Sequence, residues 1–224
     1  MDELTQAKYL VRILLTSTLI GSPATITYDW HSDGTNASEC EDNFGSVRSD
    51  YINATLPYAA KPAYTAALTL QATLGDGVYV DRVPTSAVAA PPGGNASATD
   101  VFVLRFAMPD GSAGFAAWTN LTTCSVTNGA RRTDCGFFGI TNPQCTQRGC
   151  CWDGAARPDG PQCYRGLPDG DPPLRASFEA SPLVPAQCFQ RVVNATGTPL
   201  PPACAVGGVL TIDLSDGPTY LLQK

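Results

Sequence analysis

The side chains of this 224-residue chain that could do chemistry are few: nine cysteines, one histidine and twenty carboxylates. Eight of the nine cysteines fall between Cys124 and Cys204, and none belongs to a C-x-x-C pair. Zinc centres repeat such pairs or mix Cys with His, so these cysteines are expected to form disulfides, and no metal is expected. His31 sits in Asp29-Trp30-His31-Ser32-Asp33. A Ser–His–Asp nucleophile would need a strained turn such as G-x-S-x-G, which is absent. Cys40 lies nine residues from His31 on a polar loop, a poor arrangement for a thiol and its base. Asp33 and Glu41 share that loop and are not expected to act as an acid–base pair. No glycine-rich phosphate cradle occurs, and no cofactor is expected.

Composition sets the context. Charged residues are 15% and hydrophobic residues 43% of the chain, with 21 Gly and 19 Pro, a make-up that favours strands and turns over long helices. A net charge of −6, with Arg131-Arg132 as the only basic doublet, excludes a nucleic-acid surface, which needs clustered Lys and Arg. No apolar run is long enough for a membrane span. Sequons at Asn36, Asn53, Asn95, Asn120 and Asn194, together with the cysteine cluster, point to the secretory pathway, extracellular or secreted. Met1-Asp2-Glu3 does not begin a signal peptide, so the chain is expected to be the C-terminal portion of a longer polypeptide.

The elements that would position these groups follow from periodicity. Residues 5–20 read as a helix with Ala7, Leu10, Ile13 and Leu14 on one face, stopped by Gly21 and Pro23. Ala24 to Trp30 reads as a buried strand. A second helix starts at Pro62 and ends near Leu74. Short β-runs follow: Val78–Val83, Val101–Met108, Gly114–Thr119, Leu174–Glu179, Cys188–Val193, Val209–Leu214 and Thr219–Leu222. Turn signals separate them, which predicts an antiparallel sandwich with Trp118 in its core. Cys188 and Cys204 are expected to pair within it.

Residues 121–171 differ in texture, with six cysteines and few aliphatic side chains. The spacing is Cys124-x10-Cys135-x9-Cys145-x4-Cys150-Cys151-x11-Cys163. A unit this poor in apolar residues needs covalent staples, and six cysteines allow fifteen pairings among which spacing does not choose. The run Arg132-Thr133-Asp134-Cys135-Gly136-Phe137, Thr141 four residues before Cys145, and Cys150-Cys151-Trp152 resemble the P-type trefoil domain over about residues 122 to 165. The resemblance implies the pairs Cys124–Cys151, Cys135–Cys150 and Cys145–Cys163. It also implies a glycan cleft formed by Thr141, Asn142 and Pro143 of the second loop and Pro161 and Gln162 of the third. Gln162 stands where mucin-associated members carry Trp, which removes an aromatic face for a sugar. Trp152, after the cysteine pair, is expected to be a packing residue.

Gln6-Ala7-Lys8-Tyr9-Leu10-Val11-Arg12, Ile26-Thr27-Tyr28-Asp29-Trp30-His31-Ser32-Asp33-Gly34, Asn43-Phe44-Gly45-Ser46-Val47 and Lys61-Pro62-Ala63-Tyr64 are similar to the end of a (β/α)8-barrel glycoside hydrolase of the two-carboxylate retaining kind, over about residues 3–73. Ser215-Asp216-Gly217-Pro218-Thr219-Tyr220-Leu221 resembles the last strand of the β-sandwich that follows some such barrels. The resemblance implies that Trp30 floors a sugar subsite with His31 and Asp33 on the rim. Active sites of barrels lie at strand C-termini. The chemistry itself needs two carboxylates about 5–5.5 Å apart. Glu3, Glu39, Glu41 and Glu179 are the only glutamates, and none ends a β-run at the required place.

The expected architecture is mixed: an α/β barrel remnant (helix–strand–helix) at 1–73, an antiparallel β-sandwich at 74–120 and 172–224, and a small disulfide-rich trefoil insert at 121–171. The expected function is that of the C-terminal fragment of a secreted glycoside hydrolase, inactive alone. Its partners would be a carbohydrate (polysaccharide or glycoprotein glycan) and the missing N-terminal barrel. The rival is a non-enzymatic trefoil module that binds carbohydrate or protein.

Overall fold

The structure is a computed structural model that describes residues 3–34, 36, 39, 41–49, 58–89, 101–120, 132–148, 150–154, 161–166, 174–180, 188–214 and 217–223. Among the described residues three α-helices, α1 (Glu3–Leu19), α2 (Pro62–Leu74) and α3 (Asn142–Gln147), and a 3-10 turn at Glu41–Asn43 accompany twelve strands. These are β1 (Val78–Arg82), β2 (Thr85–Ala89), β3 (Val101–Ala107), β4 (Ala113–Thr119), β5 (Arg132–Asp134), β6 (Cys151–Trp152), β7 (Cys163–Gly166), β8 (Leu174–Glu179), β9 (Cys188–Val193), β10 (Ala203–Cys204), β11 (Val209–Leu214) and β12 (Thr219–Gln223). Among the described residues no helix is long and apolar enough to cross a membrane.

The strands form three antiparallel sheets, ordered β1-β3-β4-β12-β9-β10, β11-β8-β2 and β5-β7-β6. The six-stranded sheet is covered on both faces. Successive side chains of a strand point to opposite faces. In β4, Phe115 and Ala117 pack with Phe178, Leu210 and Ile212 of the three-stranded β11-β8-β2 sheet. Ala116 and Trp118 face the other way, toward Leu15 of α1 and Leu74 of α2. Strands with both faces covered read as near-continuous apolar runs, and β4 is buried from Gly114 to Thr119. Trp118, expected in the sandwich core, is therefore not between the sheets. It stacks on Phe102 at 5.0 Å under the helices, and Arg82 caps that ring at 4.2 Å.

α1 ends in a Schellman cap. Ser22 N–H donates to Ser17 O at 2.9 Å and Gly21 N–H to Thr18 O at 3.1 Å. Gly21 takes φ +71°, which lacks a steric penalty only without a Cβ. The helix carries two overlapping apolar stripes, and the expected one is buried only in part, at Ala7 and Leu10. Ala7, Val11 and Leu15, at i, i+4 and i+8, face the interior, whereas Ile13 is exposed. α2 begins with Pro62 at its N-terminus, where a missing N–H costs nothing.

The strand expected at 24–30 does not form. Between α1 and α2 the described residues form a 3-10 turn at Glu41–Asn43 and two isolated bridges, His31 with Val47 and Val47 with Ala60. Ile26 (95% exposed), Tyr28 and Trp30 point into solvent. β-branched and aromatic residues favour a strand by packing on a covered, pleated surface, and among the described residues nothing covers this one. The segment expected to be helix–strand–helix is thus helix–loop–helix among the described residues.

Trp118→Ala should cost about 3–5 kcal/mol, the range for truncating a buried aromatic. Ile26→Ala should stay within about 0.5 kcal/mol. Urea unfolding of the two variants measures both.

Candidate functional site

The connection between the two helices is held by a small ladder centred on buried Val47. Val47 N–H donates to Trp30 O at 3.1 Å and Ser32 N–H to Val47 O at 3.0 Å. On the other side Arg48 N–H reaches Ala59 O at 2.8 Å and Lys61 N–H reaches Ser46 O at 3.1 Å. Residues 30–32, 46–48 and 59–61 are thereby one unit. Gly45 lies so close to the His31–Ser32 backbone that any Cβ would overlap it, so glycine is obligatory at this crossing.

This unit displays an aromatic and polar rim. The Trp30 ring is exposed and meets Tyr64 of α2 edge-on at 5.8 Å. His31 Nδ1 lies 3.0 Å from Ser32 O and 4.0 Å from Asp33 Oδ1, and its ring is 6.0 Å from that of Tyr58. The Tyr28 hydroxyl donates to Asp33 Oδ2 at 3.3 Å. The Asp33 carboxylate raises the Tyr28 pKa, because a phenolate beside it would be repelled. His31 and Asp33 are thus brought together with Tyr28 and Tyr58, while the Trp30 ring next in sequence leans on Tyr64; the sequence reading gave none of the three tyrosines a role in the site. An exposed ring beside hydrogen-bonding groups can stack on the apolar face of a ligand and bind its hydroxyls. An apolar groove of about 620 Å³ runs alongside, between α1 and residues 26–29, lined by Tyr9, Ile13, Ile20, Ile26, Tyr28 and Phe44.

Beneath the rim lies Lys61, 4% exposed. Its ammonium donates to Ser32 Oγ at 2.6 Å and to Asn43 O at 2.9 Å. Burial lowers its pKa below the ordinary lysine value. Gln6 of α1 donates to Phe44 O at 2.7 Å and Gly45 O at 3.2 Å on the same loop.

The second cluster lies in the β5-β7-β6 region. Disulfides join Cys135 to Cys150 and Cys145 to Cys163, and a third joins Cys188 to Cys204. Cys151 is also disulfide-bonded; Cys124, its expected partner, lies outside the described residues, as do Cys40, Asn53 and Asn95. The sulfurs of Cys135, Cys150 and Cys163 are mutually within 4.8 Å, but each is already in a disulfide and offers no thiolate to a metal. Asn36 and Asn120 are exposed, and Asn194 is half-buried, its Oδ1 accepting from Thr198 N–H at 2.9 Å.

Thr141, Asn142 and Pro143 open α3 and are exposed, and Gln144 Oε1 accepts from Thr141 N–H and Oγ, both at 2.9 Å. Gln162 is exposed and Pro161 half-buried, immediately before β7. The Cys145–Cys163 bond, with Cα atoms 5.7 Å apart, ties α3 to β7. Helix rise and chain length then hold Asn142 and Gln162 within roughly 15 Å of each other. Trp152 packs on the cysteine cluster, whereas Phe137 and Phe138 are exposed.

Residues 124–166 match the trefoil (P-type) domain model, and a trefoil domain is present there. Trefoil factor 2 of Sus scrofa and that of Homo sapiens are each 44% identical over 45 residues, 20% of this chain and 35% and 34% of theirs. The putative gastrointestinal growth factor xP1 of Xenopus laevis is 47% identical over 51 residues, 23% of this chain and 62% of its own. The chain thus spans about a third of the length of the trefoil factor 2 relatives. Among solved structures, a family 39 glycoside hydrolase from the gut symbiont Bacteroides cellulosilyticus WH2 aligns with a TM-score of 0.56 at 21% identity, over 100% of this chain and 31% of that one. That likeness is one of fold.

Replacing Cys145 and Cys163 by Ser should remove about 2–4 kcal/mol from the trefoil region. Amide exchange in 132–166 should accelerate while that of β4 and β12 stays unchanged; equal acceleration in all three would show that the regions unfold together.

Proposed function

We propose that this chain is the C-terminal part of a secreted glycoside hydrolase. Residues 1–73 contribute the end of the barrel, 74–120 and 172–224 a β-sandwich, and 121–171 a trefoil accessory module that interrupts it. The observation that supports this reading is the exposed Trp30 ring, next in sequence to the His31–Asp33 pair, on a chain that aligns over its whole length with a glycoside hydrolase chain about three times as long. Trp30 is the stacking surface for a hexose, and His31 and Asp33 bind its hydroxyls. The acid–base and nucleophile carboxylates come from outside residues 1–224, on the remainder of the barrel, which packs along the apolar groove beside α1. The five sequons are glycosylated during secretion.

A second reading is favoured by one observation in the trefoil domain. Among the described residues the exposed side-chain amides of Asn142 and Gln162 have no hydrogen-bond partner. They suit a glycan or a protein surface, with the trefoil as a binding module.

Calorimetric titration of the full chain with hexose glycosides separates the two. Trp30→Ala should weaken binding about tenfold or more, roughly 1.4 kcal/mol, while Asn142→Ala leaves it unchanged; the reverse pattern supports the trefoil reading. Aryl glycosides should not be turned over. Turnover that disappears in Asp33→Asn or Glu41→Gln would overturn the proposal.

A further inference from the structure

Lys61 occupies a position that general physical chemistry disfavours twice. It is a buried ammonium with no ion-paired carboxylate among the described residues; Glu3, the carboxylate that acts on it at longer range, is itself paired with Arg48, and a buried charge without a direct counter-ion costs stability. It also precedes the first turn of α2, where the helix dipole is positive and repels a cation. Its contacts are concentrated on the rim. Ser32, whose hydroxyl it holds at 2.6 Å, lies between His31 and Asp33. Asn43, whose carbonyl it holds at 2.9 Å, gathers the loop from its other end, donating from Nδ2 to Asn36 O at 2.8 Å and Glu39 O at 2.6 Å. The ammonium thus pins the two ends of the 32–43 excursion together.

We propose that Lys61 is a positioning residue whose buried ammonium sets the geometry of the Trp30–His31–Asp33 rim at a net cost to stability. Calling that rim sugar-facing rests on the proposed function; the positioning role does not. A residue that merely stabilised the fold would lower the melting temperature when removed. Lys61 should not, because Met fills a similar volume with no charge to desolvate.

The test uses the full chain with no sugar present, so its outcome is independent of whether the rim binds one. The single histidine and the three tryptophans provide distinct NMR probes. In Lys61→Met the melting temperature should stay within about 3 °C of the parent or rise. The His31 imidazole and Trp30 indole resonances should shift, while those of Trp118 and Trp152 stay in place. Ser32→Ala keeps the charge and removes one of its acceptors. It should shift the same two resonances and lower the melting temperature, because the ammonium loses a partner. A fall of more than about 8 °C in Lys61→Met, or unmoved His31 and Trp30 resonances in either variant, would overturn the proposal. If Lys61→Met does not fold, that too overturns it.

Discussion

Outside the trefoil domain, the described structure leans on the burial of both faces of one six-stranded sheet. Its central strands β4 and β12 send alternate side chains to a second sheet and to a helical layer. Phe115, Phe178 and Phe189 fill one side, and Trp118 and Tyr220 the other. At about 1.5–3 kcal/mol for each large apolar side chain, this is where the apolar driving force is concentrated. Tyr220 lies deep in this layer: among the described residues its hydroxyl has no hydrogen-bond partner, and burial raises its pKa. The helical layer is not an ornament on the sheet. Leu15 and Leu74 fix α1 and α2 against it, and those helices carry residues 20–61 between them. The rim around Trp30 is held at one remove by the same burial.

The trefoil domain solves a different problem. Its described strands are two to four residues long, and its buried groups are mostly the disulfide sulfurs with Tyr164. A unit with so little apolar surface is held by loop closure rather than by a core. The two regions therefore answer to different perturbations, one to cavity formation and the other to reduction. The rim between the helices belongs to neither class. Its order comes from polar contacts around Val47, Gly45 and Lys61, with aromatic rings left facing solvent.

Much of this was legible in the residues. Pro-Asp-Gly at 109–111 marks the β3–β4 turn, where Gly111 N–H donates to Met108 O at 2.9 Å, and the strands either side start and stop close to where their apolar runs do. Pro62 announces α2, and cysteine spacing with Cys-Gly-Phe announces the trefoil. What was not legible depended on partners distant in sequence. β2 hides behind Pro84 and is an Ala/Ser-rich strand recognisable only by its pairing with β8. α1 offers two apolar stripes, and only the positions of α2 and the sheet select Val11 and Leu15 over Ile13. The 24–30 segment has strand-forming residues without a surface to lie on. Lys61 drew notice only as part of the Lys61-Pro62-Ala63-Tyr64 run; that its ammonium turns inward to Ser32 is a tertiary fact with no local signature.

The account stands or falls on where a sugar touches this molecule. Amide hydrogen exchange of the full chain with and without a saturating oligosaccharide answers that directly. Slowed exchange at residues 28–34 and 44–47, with 132–166 unchanged, is the outcome the account requires. Slowing confined to 141–143 and 161–162, or no slowing anywhere, would contradict it.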